Sequence, residues 1–216
     1  FESYNKFILK KTFRPEYEIL IDYYLSKEEN KNLDHISIIE FGVASGKSLK
    51  YLEDLKIKFE KRYKVEIRLF GFDSFEGMPK TENIYDQPYD WNKGDYISDY
   101  HKVQSKVKSA NLIKGDIKNT VNPDLFESYN ISNILIILFD LDYFSSTINS
   151  FKIFENSFSS YMLPRVGLFF DNIHSSSEIS GEYYSIQNFN NENIKNGKII
   201  SKDFYLEKFD NRYYQF

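Results

Sequence analysis

Polar side chains that suit metal or proton chemistry follow two neighbouring apolar runs of this sequence. Asp140 and Asp142 come directly after ILIILF, and Asp171 and Asn172 follow VGLFF. On an extended segment Asp140 and Asp142 would face the same side. Two carboxylates at a buried strand end need a partner, because unpaired buried charge is costly. A hard divalent cation bound by oxygen atoms can be that partner; helix N-caps and loop hydrogen bonds are the alternative.

A glycine-rich loop, EFGVASGKS at 40–48, follows an earlier apolar run. A phosphate-binding P-loop has the pattern G-x-x-x-x-G-K-[ST]. Here only three residues separate Gly42 from Gly46, and Phe41 stands where the first glycine should be. An acid about 30 residues further on, Asp73, can accept hydrogen bonds from ribose hydroxyls. The loop and this acid predict a cofactor that carries a ribose, and a plain strand-to-helix turn is the alternative.

These polar residues need a sheet to position them, and the sequence provides one, since apolar runs alternate with segments of helical spacing. The predicted strands are 36–41, 65–72, 111–114, 134–139 and 166–170, and the predicted helices are 48–62, 96–108, 145–158 and 182–189. Two late strands are expected at 199–204 and 209–216 with no helix between them. The alternation predicts an α/β fold with a parallel sheet covered on both faces, to which the late strands add an antiparallel edge.

The chain is expected to form one domain over residues 1–216, in which two segments stand apart. Residues 1–30 read as a leading helical segment outside the sheet, with Pro15 in the first turn of its helix. Residues 77–96 form a long loop, and such loops in compact domains are usually functional. Its aromatic residues are Tyr85, Tyr89, Trp91 and Tyr96. We interpret this loop as a lid or acceptor loop, and a surface loop anchored by Trp91 is the alternative.

The composition excludes several classes of protein. The 216 residues include no cysteine, so disulfides, cysteine-ligated zinc and thiol catalysis are excluded, and a cytoplasmic location is expected. The formal net charge is −4, whereas a nucleic-acid-binding domain is usually basic. The longest apolar runs are far shorter than the roughly 20 residues that span a bilayer. Neither a nucleic-acid partner nor a membrane span is therefore expected, and a homo-oligomer stays open.

Several motifs together resemble one family. The segments IIEFGVASGKSL, FGFDSFEGMP, FDLDYFSST and LFFDN are similar to class I S-adenosylmethionine-dependent O-methyltransferases, specifically the metal-dependent macrocin O-methyltransferase type that acts on sugar hydroxyls. W-x-x-G-x-Y at 91–96 and GEYYSIQNFN at 181–190 extend the resemblance, which runs from about 36 to 190. It implies a Rossmann-like fold whose seven-stranded, mostly parallel sheet has one antiparallel strand near the C-terminus and helices on both faces.

The resemblance implies a role for each matching residue around the cofactor, S-adenosylmethionine. The loop 42–46 would hold its methionine part with support from Glu40, Asp73 would bind the ribose hydroxyls, and Asp116 would lie near the adenine. The implied cofactor-binding residues are Glu40, Gly42, Val43, Ser45, Gly46, Asp73, Ser74, Gly115, Asp116 and Asp140.

The resemblance also implies the chemistry. Asp140, Asp171 and Asn172 would bind a divalent cation such as Mg²⁺, and Asp142 would be the general base. The macrocin type usually has two acids where this chain has Asp171 and Asn172, whereas catechol O-methyltransferases have an Asp-Asn pair there, so the acceptor class stays open. His174, two residues further on, is a second catalytic candidate, with an ordinary loop histidine as its alternative.

The predicted function is therefore the transfer of a methyl group from S-adenosylmethionine to a hydroxyl of a sugar or glycoside, as in polysaccharide biosynthesis. Catalysis would consist of placing the acceptor oxygen in line with the methyl group, with metal and base assisting deprotonation. One alternative is a P-loop NTPase, because ILIILFD resembles a Walker B strand. A catalytically silent cofactor-binding module is another. A dehydrogenase is disfavoured, since G-x-G-x-x-G is absent.

Overall fold

The computed structural model describes residues 13–216. The strands are β1 (His35–Phe41), β2 (Glu66–Asp73), β3 (Ala110–Lys114), β4 (Ile134–Phe139), β5 (Met162–Phe170), β6 (Ser201–Lys202) and β7 (Tyr213–Gln215). The α-helices are α1 (Pro15–Leu25), α2 (Lys47–Tyr63), α3 (Tyr100–Lys106), α4 (Ile117–Thr120), α5 (Pro123–Ser128), α6 (Phe144–Ser150) and α7 (Gly181–Asn193). Short 3₁₀ helices lie at Glu28–Asn30, Ile84–Asp86, Phe151–Phe154, Asn156–Tyr161 and Ile194–Asn196. None of the helices in this range is long and apolar enough to cross a membrane.

The seven strands form one sheet in the order β3-β2-β1-β4-β5-β7-β6. Strands β1 to β5 are parallel, and β7 runs antiparallel to both β5 and β6. The predicted sheet, mostly parallel with one antiparallel strand near the C-terminus, is confirmed. Because the strand order reverses between β1 and β4, a crevice is expected at the carboxyl ends of these strands.

Strand β4 illustrates why the sheet is buried on both faces. All six of its residues are buried. Ile136 and Leu138 belong to the hydrophobic cluster on one face, and Ile137 and Phe139 belong to the cluster on the other. A strand covered on both faces needs apolar residues at every position, which explains the uninterrupted run ILIILF.

Helix α1 starts at Pro15, as predicted, and it belongs to the core. Every residue from 16 to 25 is buried. The ring of Tyr17 packs edge-to-face on Phe169 of β5, with 5.4 Å between ring centroids. A Cβ atom on Gly167 of β5 would lie 2.6 Å from the Tyr24 ring, so the glycine allows the helix its close approach. The helix thus packs on the outer face of the sheet, in agreement with the expected position; residues 1–12 of the predicted leading segment lie outside the described residues.

The predicted helix 145–158 is shorter than expected. Helix α6 ends at Ser150, and two 3₁₀ helices follow. Three short polar side chains bond to carbonyls of their own helix, Thr147 to Tyr143, Asn149 to Ser145 and Ser150 to Thr147. Such local bonds compete with regular helical hydrogen bonding.

Two further boundaries move inward. The predicted helix 96–108 is reduced to α3, because Asp99 caps it by accepting a hydrogen bond from the backbone N–H of Lys102 at 3.1 Å. The late strands shrink to β6 and β7, which are two and three residues long. The elements expected here do exist, and only their ends differ.

Candidate active site

A cavity of about 790 Å³ opens at the carboxyl edge of the sheet, beside β1, β2, β4 and β5. Eleven of the fourteen predicted site residues line it: Gly42, Val43, Ser45, Asp73, Ser74, Gly115, Asp116, Asp140, Asp142, Asp171 and Asn172. Glu40, Gly46 and His174 do not. The strand-end residues therefore meet in one place because parallel strands bring their carboxyl ends to one edge.

The glycine loop is shaped by close contact with the neighbouring strand. Gly42 has a φ of 87°, and a Cβ atom there would lie 2.0 Å from the carbonyl oxygen of Asp140, so only glycine fits. The backbone N–H groups of Val43 and Ala44 both donate to Oδ2 of Asp73, each at 2.8 Å. A P-loop needs such N–H groups free for a phosphate. Here they are bound to a carboxylate of the protein, which disfavours the P-loop alternative.

Asp73 ties the loop after β1 to the loop after β2. Its Oδ1 accepts a third hydrogen bond, from the backbone N–H of Phe75 at 2.6 Å. A carboxylate has about four acceptor positions, so one remains for a ligand in the cavity. The ribose-binding role implied for Asp73 stays a prediction.

Glu40, at the end of β1, is the unsatisfied acid of the site. It is fully buried, and neither carboxylate oxygen makes a hydrogen bond of ordinary geometry within residues 13–216. Burial raises the pKa of Glu40 to about 8, although the side chain of Ser48 lies close enough to lower it, and the negative charge of Asp140 adds to the rise. A buried polar group without an ordinary hydrogen bond in a native fold requires an explanation, and a cationic ligand in the adjoining cavity supplies one.

Asp140 and Asp142 line the same cavity, but they lie in a turn and not on the extended segment that was predicted. Strand β4 ends at Phe139, and the chain turns at once, with the N–H of Tyr143 donating to the carbonyl of Leu141 at 2.5 Å. Asp142 has a φ of 57°, in the left-handed region. The expected extended segment is thus replaced by a turn; left-handed non-glycine residues cluster at functional sites.

The environment of these two acids disfavours their charge. Burial raises the pKa of Asp140 to about 6, with a further contribution from the neighbouring Asp171. Burial likewise raises the pKa of Asp142 to about 7, with contributions from Asp140 and Asp171. Asp142 can therefore exchange a proton near neutral pH, which suits a general base.

The predicted magnesium ligands converge, but two arginine side chains are bound to one oxygen of Asp171. Oδ1 of Asp171 accepts hydrogen bonds from Arg14 at 2.5 Å and from Arg212 at 3.0 Å. Asn172 turns its amide nitrogen, 3.3 Å away, toward Oδ1 of Asp140. Residues 13–216 contain no group of three or more histidine or acidic side chains placed to hold a metal ion. The donor types suit Mg²⁺ but their arrangement does not, so the magnesium prediction is not confirmed.

Three side chains that make contacts at this edge of the sheet were missed by the sequence analysis: Arg14, Arg212 and Glu182. Arg14 and Arg212 carried no signal, apart from the position of Arg14 before Pro15. Glu182 lies in the motif GEYYSIQNFN, which could have drawn attention to it. It is fully buried and accepts hydrogen bonds from the backbone N–H groups of Asn172 at 2.8 Å and Leu141 at 3.4 Å. Glu182 thereby fixes the loops that follow β4 and β5.

The loop 77–96 is anchored over the site. Asp86 is fully buried, and its Oδ1 accepts a hydrogen bond from the N–H of Ser145 at the start of α6, at 2.7 Å. The side-chain amide of Gln87 donates to the carbonyl of Ser175 at 2.9 Å. These bonds join the loop to segments that follow β4 and β5.

The aromatic residues of this loop divide into two groups. Trp91 and Tyr96 both line the cavity, with 5.6 Å between their ring centroids. Tyr85 instead packs on Tyr184 of α7, at 4.9 Å between centroids, while Tyr89 is 91% exposed. Trp91 and Tyr96 are thus placed to contact a ligand, and the lid or acceptor role of the loop stays a prediction.

The other two predicted residues lie outside the cavity. His174 is exposed, and its Nε2 lies 3.9 Å from Oδ1 of Asp210. Gly46 precedes α2 in the left-handed region, where a Cβ atom would lie 2.7 Å from the side chain of Val103. Gly46 therefore supports the packing of the loop, and the geometry gives His174 no place at the reacting atoms.

Comparison with known proteins assigns the fold. Neither a protein-family profile nor a curated protein matches the chain. A solved structure of CalS11, calicheamicin methyltransferase, is similar over 95% of this chain and 79% of that chain, with a TM-score of 0.62 and 16% sequence identity. The apo structure of CalS11, described as TDP-rhamnose 3′-O-methyltransferase, is similar over 94% of this chain and 80% of that chain, with a TM-score of 0.53 and 17% identity. The chain thus has a methyltransferase fold, and the resemblance predicted from its motifs is confirmed at that level.

Proposed function

We propose that this chain is an S-adenosylmethionine-dependent O-methyltransferase that acts on a hydroxyl of a sugar or glycoside. The observation that carries this proposal is the acidic cavity at the strand reversal of a methyltransferase fold. Acids at strand ends repel a triphosphate and attract a cationic cofactor. The name of the similar solved structure, TDP-rhamnose 3′-O-methyltransferase, supports an activated sugar as the acceptor.

The cavity fits the cofactor at two places. The glycine loop brings backbone to the cavity wall, and the buried carboxylate of Glu40 makes no ordinary hydrogen bond to the described residues, so a cationic ligand would offset its charge. When bound, S-adenosylmethionine would provide an electrophilic methyl group. The work left to the protein is to hold the acceptor oxygen in line with that group and to exclude water.

Asp142 is the proposed general base. It lines the cavity, its left-handed backbone directs it away from the line of β4, and its pKa is raised to about 7. An acceptor hydroxyl next to this carboxylate would lose its proton to it as the methyl group is transferred. Trp91 and Tyr96 offer aromatic faces for the sugar ring. His174 has no part in this scheme.

Two details of the function predicted from the sequence stay predictions. They are a requirement for a divalent cation and a role in polysaccharide biosynthesis. No step of the proposed reaction passes through a metal, because arginine side chains occupy the oxygen atom of Asp171 that would bind it.

Calorimetric titration with S-adenosylhomocysteine tests the cofactor, with ATP–Mg²⁺ as the matched control. We expect micromolar binding of S-adenosylhomocysteine and no binding of ATP. Binding of ATP alone would contradict the proposal and support the NTPase alternative. Methyl transfer to a series of nucleotide-activated sugars then tests the reaction; cofactor binding without transfer to any of them would favour the silent module.

A further inference from the structure

A partly buried network of guanidinium and carboxylate groups adjoins the cavity, which Arg14, Asp140 and Asp171 line. Arg14 directly precedes α1 and Arg212 directly precedes β7, so the two reach the site from opposite ends of the described chain. Both donate to the same oxygen, Oδ1 of Asp171, at 2.5 and 3.0 Å. The side chains of Arg14 and Arg212 are only 21% and 19% exposed. This burial sets the pair apart from ordinary surface ion pairs.

Arg14 also reaches the second predicted metal ligand. Its Nη2 lies 3.7 Å from Oδ2 of Asp140 while Nη1 is bound to Asp171. One guanidinium group thus stands between the two carboxylates that a shared cation would join. A planar guanidinium with several donors in fixed directions is suited to two acceptors at once.

Arg212 links Asp171 to a further acid, Asp210. It forms a two-point contact with Asp210, Nη2 to Oδ2 at 2.6 Å and Nε to Oδ1 at 2.9 Å. Glu16 lies 3.5 Å from Nη1 of Arg14 and 3.8 Å from Nη2 of Arg212. The acids around Arg14 therefore come from α1 and from the ends of β4 and β5, while Asp210, in the segment before β7, fixes Arg212.

We propose that the guanidinium of Arg14 occupies the position between Asp140 and Asp171 in which a divalent cation was predicted, and that it neutralises this acid pair in place of a metal ion. Arg14 is then a positioning residue: its permanent charge lies between the two carboxylates and holds them in place beside Asp142. A role of Arg14 in catalysis rests on the proposed function, because it requires that the chain transfers a methyl group. The occupancy of the cation position can be tested without any reaction.

Titration with Mn²⁺, followed by electron paramagnetic resonance, tests the occupancy directly. We expect the wild-type chain to bind Mn²⁺ at least tenfold more weakly than Arg14→Ala, because the substitution removes the guanidinium between the two carboxylates and leaves only Arg212 bound to Asp171. Arg14→Lys keeps a charge at this position and should behave like the wild type. Arg68→Ala, on the opposite edge of the sheet, is the matched control and should also behave like the wild type.

Two outcomes would overturn the proposal. Mn²⁺ binding by the wild type that is as tight as binding by Arg14→Ala would show that the arginine does not exclude the ion. Absence of binding in both would show that Arg14 does not occupy a cation position. Thermal melting checks folding of each variant, and Arg14→Gln replaces Arg14→Ala if the latter unfolds.

A second readout separates this proposal from the proposed function. Calorimetry with S-adenosylhomocysteine reports on the function alone, so a chain that fails to bind it still gives an answer from the Mn²⁺ titration. If methyl transfer is found, its rate should be the same with and without EDTA in the wild type. A loss of more than tenfold in EDTA that added Mg²⁺ restores would count against Arg14 in this role.

Discussion

The two edges of the sheet each carry a depression, and they differ in how their charges are satisfied. The groove at the amino edge is the larger, about 950 Å³ against about 790 Å³ at the carboxyl edge. Within the groove, Arg68 donates two hydrogen bonds to Glu66, both at 3.0 Å, and Lys56 pairs with Glu60 at 2.7 Å. At the carboxyl edge, by contrast, the buried carboxylate of Glu40 makes no ordinary hydrogen bond to the described residues.

The difference shows that volume alone does not identify a functional site. A fold gains stability by pairing its polar groups, so a groove with paired charges needs no ligand to explain it. At the carboxyl edge, the raised pKa values of Glu40, Asp140 and Asp142 show that these acids are buried at a cost in free energy. Such acids are typical of functional sites, so this edge is the better candidate for one. Substitutions at the two edges should therefore have different consequences.

The largest effect is expected from Asp142→Asn. Removal of the general base should lower kcat by about 10² to 10⁴-fold, the usual contribution of positioned acid–base groups. Binding of S-adenosylhomocysteine should be unchanged, since the amide has nearly the same shape. Steady-state kinetics and calorimetry on the same preparations measure both; undiminished kcat would remove Asp142 from the mechanism.

Glu40→Gln should separate binding from folding. Loss of the unpaired carboxylate should weaken binding of S-adenosylhomocysteine by about tenfold, roughly the 1.4 kcal/mol of a modest electrostatic contact. The free energy of unfolding should stay the same or rise, because a neutral amide costs less to bury than an ionised carboxylate. Calorimetry and urea denaturation measure the two quantities, and a large loss of stability would show that Glu40 has a structural partner.

Glu53→Gln provides the contrasting case of a buried glutamate with partners. Glu53, on α2, accepts hydrogen bonds from the N–H and hydroxyl groups of Ser109 and from the N–H of Ala110. Although burial alone would raise the pKa of Glu53, these donors lower it overall. We expect a loss of about 1.5–3 kcal/mol in the free energy of unfolding at pH 7, as for hydrogen bonds to charged groups, with cofactor affinity unchanged.

The sign of the pH dependence follows from the lowered pKa. A carboxyl group whose pKa is lower in the folded state stabilises the fold above its unfolded pKa, and this contribution disappears as pH falls through the folded pKa. The difference in stability between wild type and Glu53→Gln should therefore shrink below about pH 4. Urea denaturation at several pH values measures it, and a difference that grows in acid would contradict the assignment.

The smallest effect is expected at the amino edge. Arg68→Ala breaks a partly exposed ion pair with Glu66 and should cost at most about 1 kcal/mol in the free energy of unfolding. Cofactor affinity and turnover should match the wild type. A marked loss of either would give the larger groove a functional role and undo the contrast between the two edges.

Much of this molecule was predictable because it depends on local patterns. The uninterrupted run of β4 indicated a strand buried on both faces, and the acids after the apolar runs indicated where the strands end. Since parallel strands share a carboxyl edge, the same patterns predicted which acids would meet. Helix boundaries were less accurate where serine and asparagine side chains, such as those of Asn149 and Ser150, bond to the helix backbone.

The partners of those acids were decided only by the tertiary structure. Arg14 lies 157 residues from Asp171 in sequence, and Arg212 lies 41 residues from it. Nothing in the local sequence around an arginine says which distant carboxylate it will meet, because that depends on how α1 and β7 pack on the sheet. The sequence thus determined which acids at the strand ends meet at the site, while the packing of distant elements brought in Glu182 and placed a guanidinium group between Asp140 and Asp171.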